Sequence, residues 1–199
     1  MGTIERRTRE KAQLRQEILD AARAIFVEEG YDAVTMRRVA KAIEYSPTAI
    51  YLYFKDKAEL VQALCDETFD KLVKKLQDLA KKQPDPLEYL DAGLRCHIDF
   101  GLKNPNHYYV TFIASPGRLD YPYEGSSGQR AFEFLRSSVQ ACVATGKFRA
   151  VDVDTTAQAL WMAAHGLVAL LISNKPFPFV ARQRLVDHLM ETQLRGLKA

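Results

Sequence analysis

The stretch "AKAIEYSPTAIYLYFKDK", Ala40 to Lys57, puts four aromatics, a Ser-Pro pair and three lysines into eighteen residues. That mixture suits a turn and a short helix that face something, rather than a core segment. Ser46 offers a cap hydroxyl, and Pro47 follows at the first helical position, where its missing N–H costs nothing. Ile50 and Phe54 stand four apart and point inward, so Tyr51 and Tyr53 cannot both follow them. Just upstream, Thr35 caps a helix whose Met36, Val39, Ala40 and Ile43 share one face. Two short helices joined at Ile43-Glu44-Tyr45 have the spacing of a helix-turn-helix. The turn carries Glu44 and Tyr45, where a glycine would be the easy choice.

Working outward, Leu14, Ile18, Ala21, Ala22, Ile25 and Phe26 predict a first helix over roughly Arg9 to Glu29, with Gly30 as its stop. Asp56 opens a fourth helix to about Lys82, with Glu59 three residues on in an arrangement close to a capping box. Pro84 and Pro86 end it. Leu87, Leu90, Leu94 and Ile98 mark a fifth helix, and a break at Asn104-Pro105 precedes a short aromatic one. Ser115 to Gln129, dense in Gly, Pro and Ser, reads as a loop. A helix with Phe132, Leu135, Val139 and Cys142 ends near Gly146. Another opens at Asp154 or Thr155, and a last one carries Val186, Met190 and Leu194 among Leu185, Leu189 and Leu197. With no strand pattern and no internal repeat, the fold class is all-α: an N-terminal three-helix helix-turn-helix domain of homeodomain-like type, then a C-terminal helical domain. The boundaries read as 9–57 for the first, with the motif at 35–54, and 58–199 for the second.

At 47% hydrophobic and 27% charged residues the chain has the balance of a soluble globular protein and is not mainly disordered. The basic start has no apolar stretch after it and is not a secretory signal, so a cytoplasmic location is expected. Ala157 to Ile172 is nearly all apolar. It falls short of the roughly 20 residues that span a bilayer and includes His165, so no membrane partner is expected. A helix apolar all round is buried on all sides; the expected cover is a second copy, the last two helices of each chain forming a two-fold interface. Cys65, Cys96 and Cys142 lie far apart in apolar patterns, which predicts buried thiols and neither a disulfide framework nor a metal site. Adjacent residues such as Cys96 and His97 do not face each other on a helix, so no catalytic residue and no cofactor are assigned.

The net charge of +3 is modest, but its distribution is not uniform. Five basic residues up to Arg15 face only Glu5 and Glu10. Gln16 to Val34 is acidic, and Thr35 to Lys57 is basic again. This is the pattern of a small domain with one phosphate-facing surface. In a helix-turn-helix the second helix enters the major groove while its neighbours grip phosphates. The groove-side candidates are Ser46, Pro47, Thr48, Ala49 and Leu52, a surface suited to thymine methyls. Tyr51, Tyr53, Thr35, Lys55 and Lys57 suit phosphate, and Arg37 is the candidate for a guanine edge. The bland alternative makes the aromatics core and the cations a solvated face.

The run "ILDAARAIFVEEGYDAVTMRRVAKAIEYSPTAIYLYFKDKAEL", above all Tyr51-x-Tyr53-Phe54-x-x-Lys57, resembles the DNA-binding domain of the TetR family of bacterial regulators. The departure is at Ile43-Glu44-Tyr45, where most members carry a small residue, glycine and an aliphatic one. Glycine suits a turn residue with positive φ, where glutamate is strained by roughly 1 kcal/mol. "WMAAHG", with Trp161, His165 and Gly166, resembles the W-x-x-x-HG pattern of one subclass. The resemblance implies a homodimer that binds a palindromic double-stranded DNA operator, by default as a repressor, and releases it when a small-molecule effector enters the C-terminal domain. Candidates to face the effector are His97, Phe100, Tyr108, Tyr109, Phe112, Trp161 and His165. Against this, His165 and Trp161 read as interior packing, with Gly166 allowing close helix approach. The rival to the operator reading is a helical ligand- or partner-binding dimer that does not bind DNA.

Overall fold

The computed structural model describes residues 3–114 and 124–199. Among them every named element is helical: α1 (Thr3–Glu29), α2 (Met36–Ala42), α3 (Pro47–Tyr51), α4 (Lys57–Lys82), α5 (Pro86–Lys103), α6 (Pro105–Tyr108), a π-helical segment (Tyr109–Ala114), α7 (Ser127–Ala144), α8 (Val153–Ser173) and α9 (Arg182–Arg195). The chain forms two compact units. One is the chain up to Glu67 together with the segment that begins at Val110; the other is Thr68–Tyr109 with the chain from Pro122 onward.

In the first unit, Ile18, Leu19, Ala22 and Phe26 of α1 meet Val39 and Ala40 of α2, Ile50 and Phe54, and Leu60, Val61 and Leu64 of α4 in one buried cluster. The inward stripe of each helix is thus spent on a single core, which leaves the opposite faces of α2 and α3 to solvent. Arg23 ties α1 to α4 by bridging Asp20 and Glu67. Arg38 holds Glu29 at 2.5 Å and so fixes α2 against the end of α1.

In the second unit α5 packs on α7 and α8, and α8 also meets α7 and α9. Buried Leu90, Leu94 and Ile98 of α5, Val139 and Cys142 of α7, and Leu160, Ala164 and Val168 of α8 supply the interior. Asp85 caps α5 by accepting from the N–H groups of Leu87 and Glu88, at 2.9 and 3.2 Å, and also holds Lys147 at 2.5 Å.

Several boundaries differ from the sequence reading, each for a local reason. α1 begins at Thr3 and not Arg9, because exposed turns need no apolar stripe and are supported by pairs such as Arg6–Glu10. α4 begins at Lys57, with Asp56 as its cap: Asp56 accepts from the Glu59 N–H at 2.9 Å, and Glu59 accepts from the Lys55 N–H. The predicted loop 115–129 ends earlier, since Ser126 caps α7 by accepting from the Gln129 N–H at 2.9 Å and Gln129 accepts in return from Gly125 at 2.7 Å. Residues 115–123 of that loop lie outside the described residues. α8 opens at Val153, capped by Asp152 through the Thr155 N–H at 2.7 Å. It is not buried on all sides: Met162 and Leu170 are 64% and 53% exposed. By length and composition it is, among the described residues, the one helix apolar enough to cross a membrane, a test that a core helix also passes. Cys65 and Cys142 are buried, whereas Cys96 is only half-buried.

A candidate nucleic-acid interface and a polar cluster in the second unit

The turn between α2 and α3 is closed by two backbone bonds. The Tyr45 N–H donates to Ala40 O at 2.9 Å and the Glu44 N–H to Lys41 O at 3.3 Å. This six-to-one and five-to-two pair is a Schellman motif, which places the residue after the helix cap in the left-handed region. Glu44 occupies that position with φ 61°, and no other non-glycine among the described residues has positive φ. The end of α7 repeats the motif, with Lys147 bonded to Cys142 O and Gly146 to Val143 O, and there the residue at φ 69° is a glycine. Positive φ at this turn, expected from the family pattern, is therefore present, and a glutamate adopts it.

Across that turn α3 presents its groove-side residues outward. Ser46 caps the helix by accepting from the Ala49 N–H at 3.3 Å, and Thr35 caps α2 by accepting from the Arg38 N–H at 3.2 Å. Each hydroxyl keeps its own proton to donate to a phosphate. Pro47 and Thr48 are exposed, Ala49 partly so, and Leu52 and Tyr51 are 76% and 54% exposed. Ile50 and Phe54 are buried, as the spacing predicts. Tyr53 packs partly against the core. Arg37 and Lys55 are exposed and in no ion pair among the described residues. The Lys57 ammonium lies 3.9 Å from the centre of the Tyr31 ring, an engagement the sequence did not signal.

A groove of about 680 Å³ opens beside this surface, lined by Arg7, Glu10, Lys11 and Leu14 of α1 and by Tyr45, Leu52 and Tyr53. Sequence reading counted Arg7 and Lys11 only as members of a basic N-terminal cluster and did not join them to Tyr45 in one groove. The available signal was the four- and seven-residue spacing of Arg7, Lys11 and Leu14 along α1.

In the second unit four of the effector candidates come together. The Tyr108 hydroxyl lies 2.8 Å from His165 Nδ1 and 3.4 Å from His97 Nε2, and the Trp161 ring sits 5.8 Å from that of His165. Phe132 extends the row, edge-on to Trp161 at 6.3 Å, and was not anticipated. One phenol proton can serve only one imidazole, so the other ring nitrogen must donate to the phenol oxygen. Burial pushes the His97 imidazole down to about 4, with the His165 ring adding to the effect, and burial also lowers His165. The Tyr108 phenol is raised by burial. At neutral pH the cluster is uncharged, a set of hydrogen-bonding groups in apolar surroundings. Phe100 is buried and Tyr109 is 44% exposed; among the described residues no ring contact joins either to the cluster. Phe112 lies in the π-helical segment.

Close approach depends on Gly101, not Gly166. A Cβ at Gly101 would sit 2.7 Å from a Tyr108 ring carbon and 2.7 Å from Val168 Cγ1, whereas one at Gly166 meets nothing within 4 Å.

Comparison with known proteins matches the chain to two family models. Residues 18–64 match the family model described as "Bacterial regulatory proteins, tetR family", and residues 90–195 match "Tetracyclin repressor-like, C-terminal domain". The HTH-type transcriptional repressor Rv1474c of Mycobacterium tuberculosis is 44% identical over 61 residues, 31% of this chain and 33% of that protein. The HTH-type transcriptional regulator TtgR of Pseudomonas putida is 40% identical over 86 residues, 41% of this chain and 40% of that one. The chain thus spans well under two thirds of the length of these curated relatives. A TetR/AcrR-family regulator from Thermobifida fusca shares the fold at TM-score 0.73 and 24% identity, over 94% of this chain and 100% of that one. With the second family model alone covering more than half of its length, the protein belongs to the tetR family of bacterial regulatory proteins.

Proposed function

We propose that the protein is a cytoplasmic, homodimeric transcriptional regulator that binds a palindromic operator through α2 and α3 and is released from it by a small molecule. The observation that carries this reading is the outer surface of α2 and α3: α3 packs on the core through Ile50 while Thr48, Tyr51 and Leu52 stay exposed, and Arg37 is exposed and in no ion pair among the described residues. In this reading residues 9–57 read DNA and 58–199 hold the effector and the dimer interface. Ser46, Pro47, Thr48, Ala49 and Leu52 meet the groove. Thr35, Tyr51, Tyr53, Lys55 and Lys57 meet phosphates, and Arg37 reads a base edge. Repression is the sign of regulation carried by the repressor among its relatives.

The effector site is assigned to the cluster of His97, Tyr108, Trp161 and His165, with Phe100, Tyr109 and Phe112 as further candidates. Support comes from the hydroxyl and two neutral imidazoles held among aromatic rings, the mixed lining of a small-molecule site. The contact of the Trp161 and His165 rings, one turn apart with centroids 5.8 Å from each other, also supports the W-x-x-x-HG subclass. For the dimer, support comes from the apolar outer face of α8, where Met162 and Leu170 are exposed and Gly166 has open space beside it. A regulatory role, not an enzymatic one, fits the thiols: burial raises Cys96 and pushes Cys142 up to about 11, which leaves neither a ready nucleophile.

The test is binding of the DNA upstream of the protein's own gene at rising salt. Counterion release requires that affinity fall steeply and linearly on logarithmic axes. Failure to bind any genomic fragment favours instead a helical ligand- or partner-binding dimer without an operator.

A further inference from the structure

We propose that the N-terminal half of α1 forms a second phosphate grip, in which Arg7 and Lys11 hold the operator backbone alongside the stretch that α3 reads. The inference rests on the operator-binding reading above and adds a contact surface to it.

The cations of α1 are sorted by their partners. Arg6 pairs with Glu10 at 3.4 Å, and the Arg15 guanidinium lies 5.1 Å from the centre of the Phe54 ring. Arg7 and Lys11, one helical turn apart on one face, take part in no ion pair or hydrogen bond among the described residues. These two line the groove whose other wall is Leu52, Tyr53 and Tyr45, that is, the exposed end of the reader helix and the residue after the strained turn. A duplex lying against α3 therefore has a strand running beside this wall. The single acid at the groove, Glu10, already faces Arg6, so the surface left over is cationic. Two unpaired cations next to an exposed apolar and phenolic surface complement a phosphate chain whose sugars and bases continue onto α3. An acidic peptide could satisfy the charges but would leave unexplained why they adjoin the reader.

The test uses the full-length protein and an operator fragment that the wild type binds. The Arg7→Gln/Lys11→Gln variant is titrated by fluorescence anisotropy over a series of salt concentrations, with thermal melts to verify folding. The slope of log affinity against log salt is expected to fall by about 1.8 per reader, two phosphates at about 0.9 each. All operator variants should weaken by one common factor. The charge-keeping Arg7→Lys/Lys11→Arg protein and the charge-neutral Arg6→Gln/Glu10→Gln protein should keep the wild-type slope. If the wild type shows the steep slope and Arg7→Gln/Lys11→Gln retains it, the grip is refuted while the operator reading stands. If the wild type binds no DNA, both fall together.

Discussion

Replacing Glu44 by glycine isolates the one conformational cost built into the reader. At φ 61° a residue with a Cβ is held in the left-handed region, which costs roughly 1–2 kcal/mol. Glycine removes that cost but loses about 0.5–1 kcal/mol to the greater freedom of its unfolded chain. Taken at the middle of each range, the difference leaves a gain of about 0.75 kcal/mol, or about 1.5–3 °C in Tm for a chain of this size. Glu44→Ala keeps the backbone strain and removes only the carboxylate, which makes no hydrogen bond or ion pair among the described residues. Its Tm should stay close to wild type. Gly146→Ala supplies the mirror experiment, because it occupies the same position of the same motif at φ 69° and a Cβ there meets nothing within 4 Å. It should lose about 1 kcal/mol through conformation alone. Thermal melts by circular dichroism of the three variants suffice. A Glu44→Gly protein no more stable than Glu44→Ala would refute the strain argument and mean that the turn is built around the glutamate. If the carboxylate also repels phosphate, both variants should tighten operator binding equally, and the gain should fade at high salt.

Gly101→Ala should destabilise the protein by about 1–3 kcal/mol, since the new Cβ would meet the Tyr108 ring and Val168 at 2.7 Å; an unchanged melt would show that these neighbours give way freely. His97 predicts a pH dependence of defined sign. Its folded value of about 4 lies below the ordinary 6.5, so the unfolded chain binds the extra proton and stability is lost as pH falls from about 6.5 towards 4. The loss approaches roughly 3 kcal/mol, less what the residue's remaining accessibility trims, and urea melts of His97→Asn should be flatter across that window than those of the wild type. Arg37→Ala should relax preference at one operator position, whereas Lys57→Ala should weaken all operators about equally; identical profiles would remove Arg37 from base reading.

Periodicity made most of the fold legible, because each helix buries one stripe and that stripe is written at three- and four-residue spacing. Ile50 and Phe54 went inward on that ground alone, and the same spacing kept Tyr51 and Tyr53 from both following them. The turn needed more than periodicity. Nothing in Glu44 itself announces a positive φ; the family's glycine at that position did. What stayed hidden was set by partners distant in sequence or by exposed helix with no apolar signal. Residues 5–13 of α1 are exposed and so carry no stripe to read. Ser126 was lost in a Gly/Ser-rich run whose capping hydrogen bonds only the folded backbone reveals. The pairing of Lys57 with Tyr31, and the dependence of Tyr108 on Gly101 in place of an approach at Gly166, arise from packing between separate helices, which spacing does not encode.

The central claim is that the α2–α3 surface reads DNA. Its most direct measurement is selection of bound duplexes from a random-sequence library by the purified full-length protein, followed by a salt titration of the enriched sequences. The account expects enrichment of two inverted half-sites whose retention falls steeply as salt rises. A library recovered without enrichment at low salt, or enriched sequences held independently of salt, would contradict it.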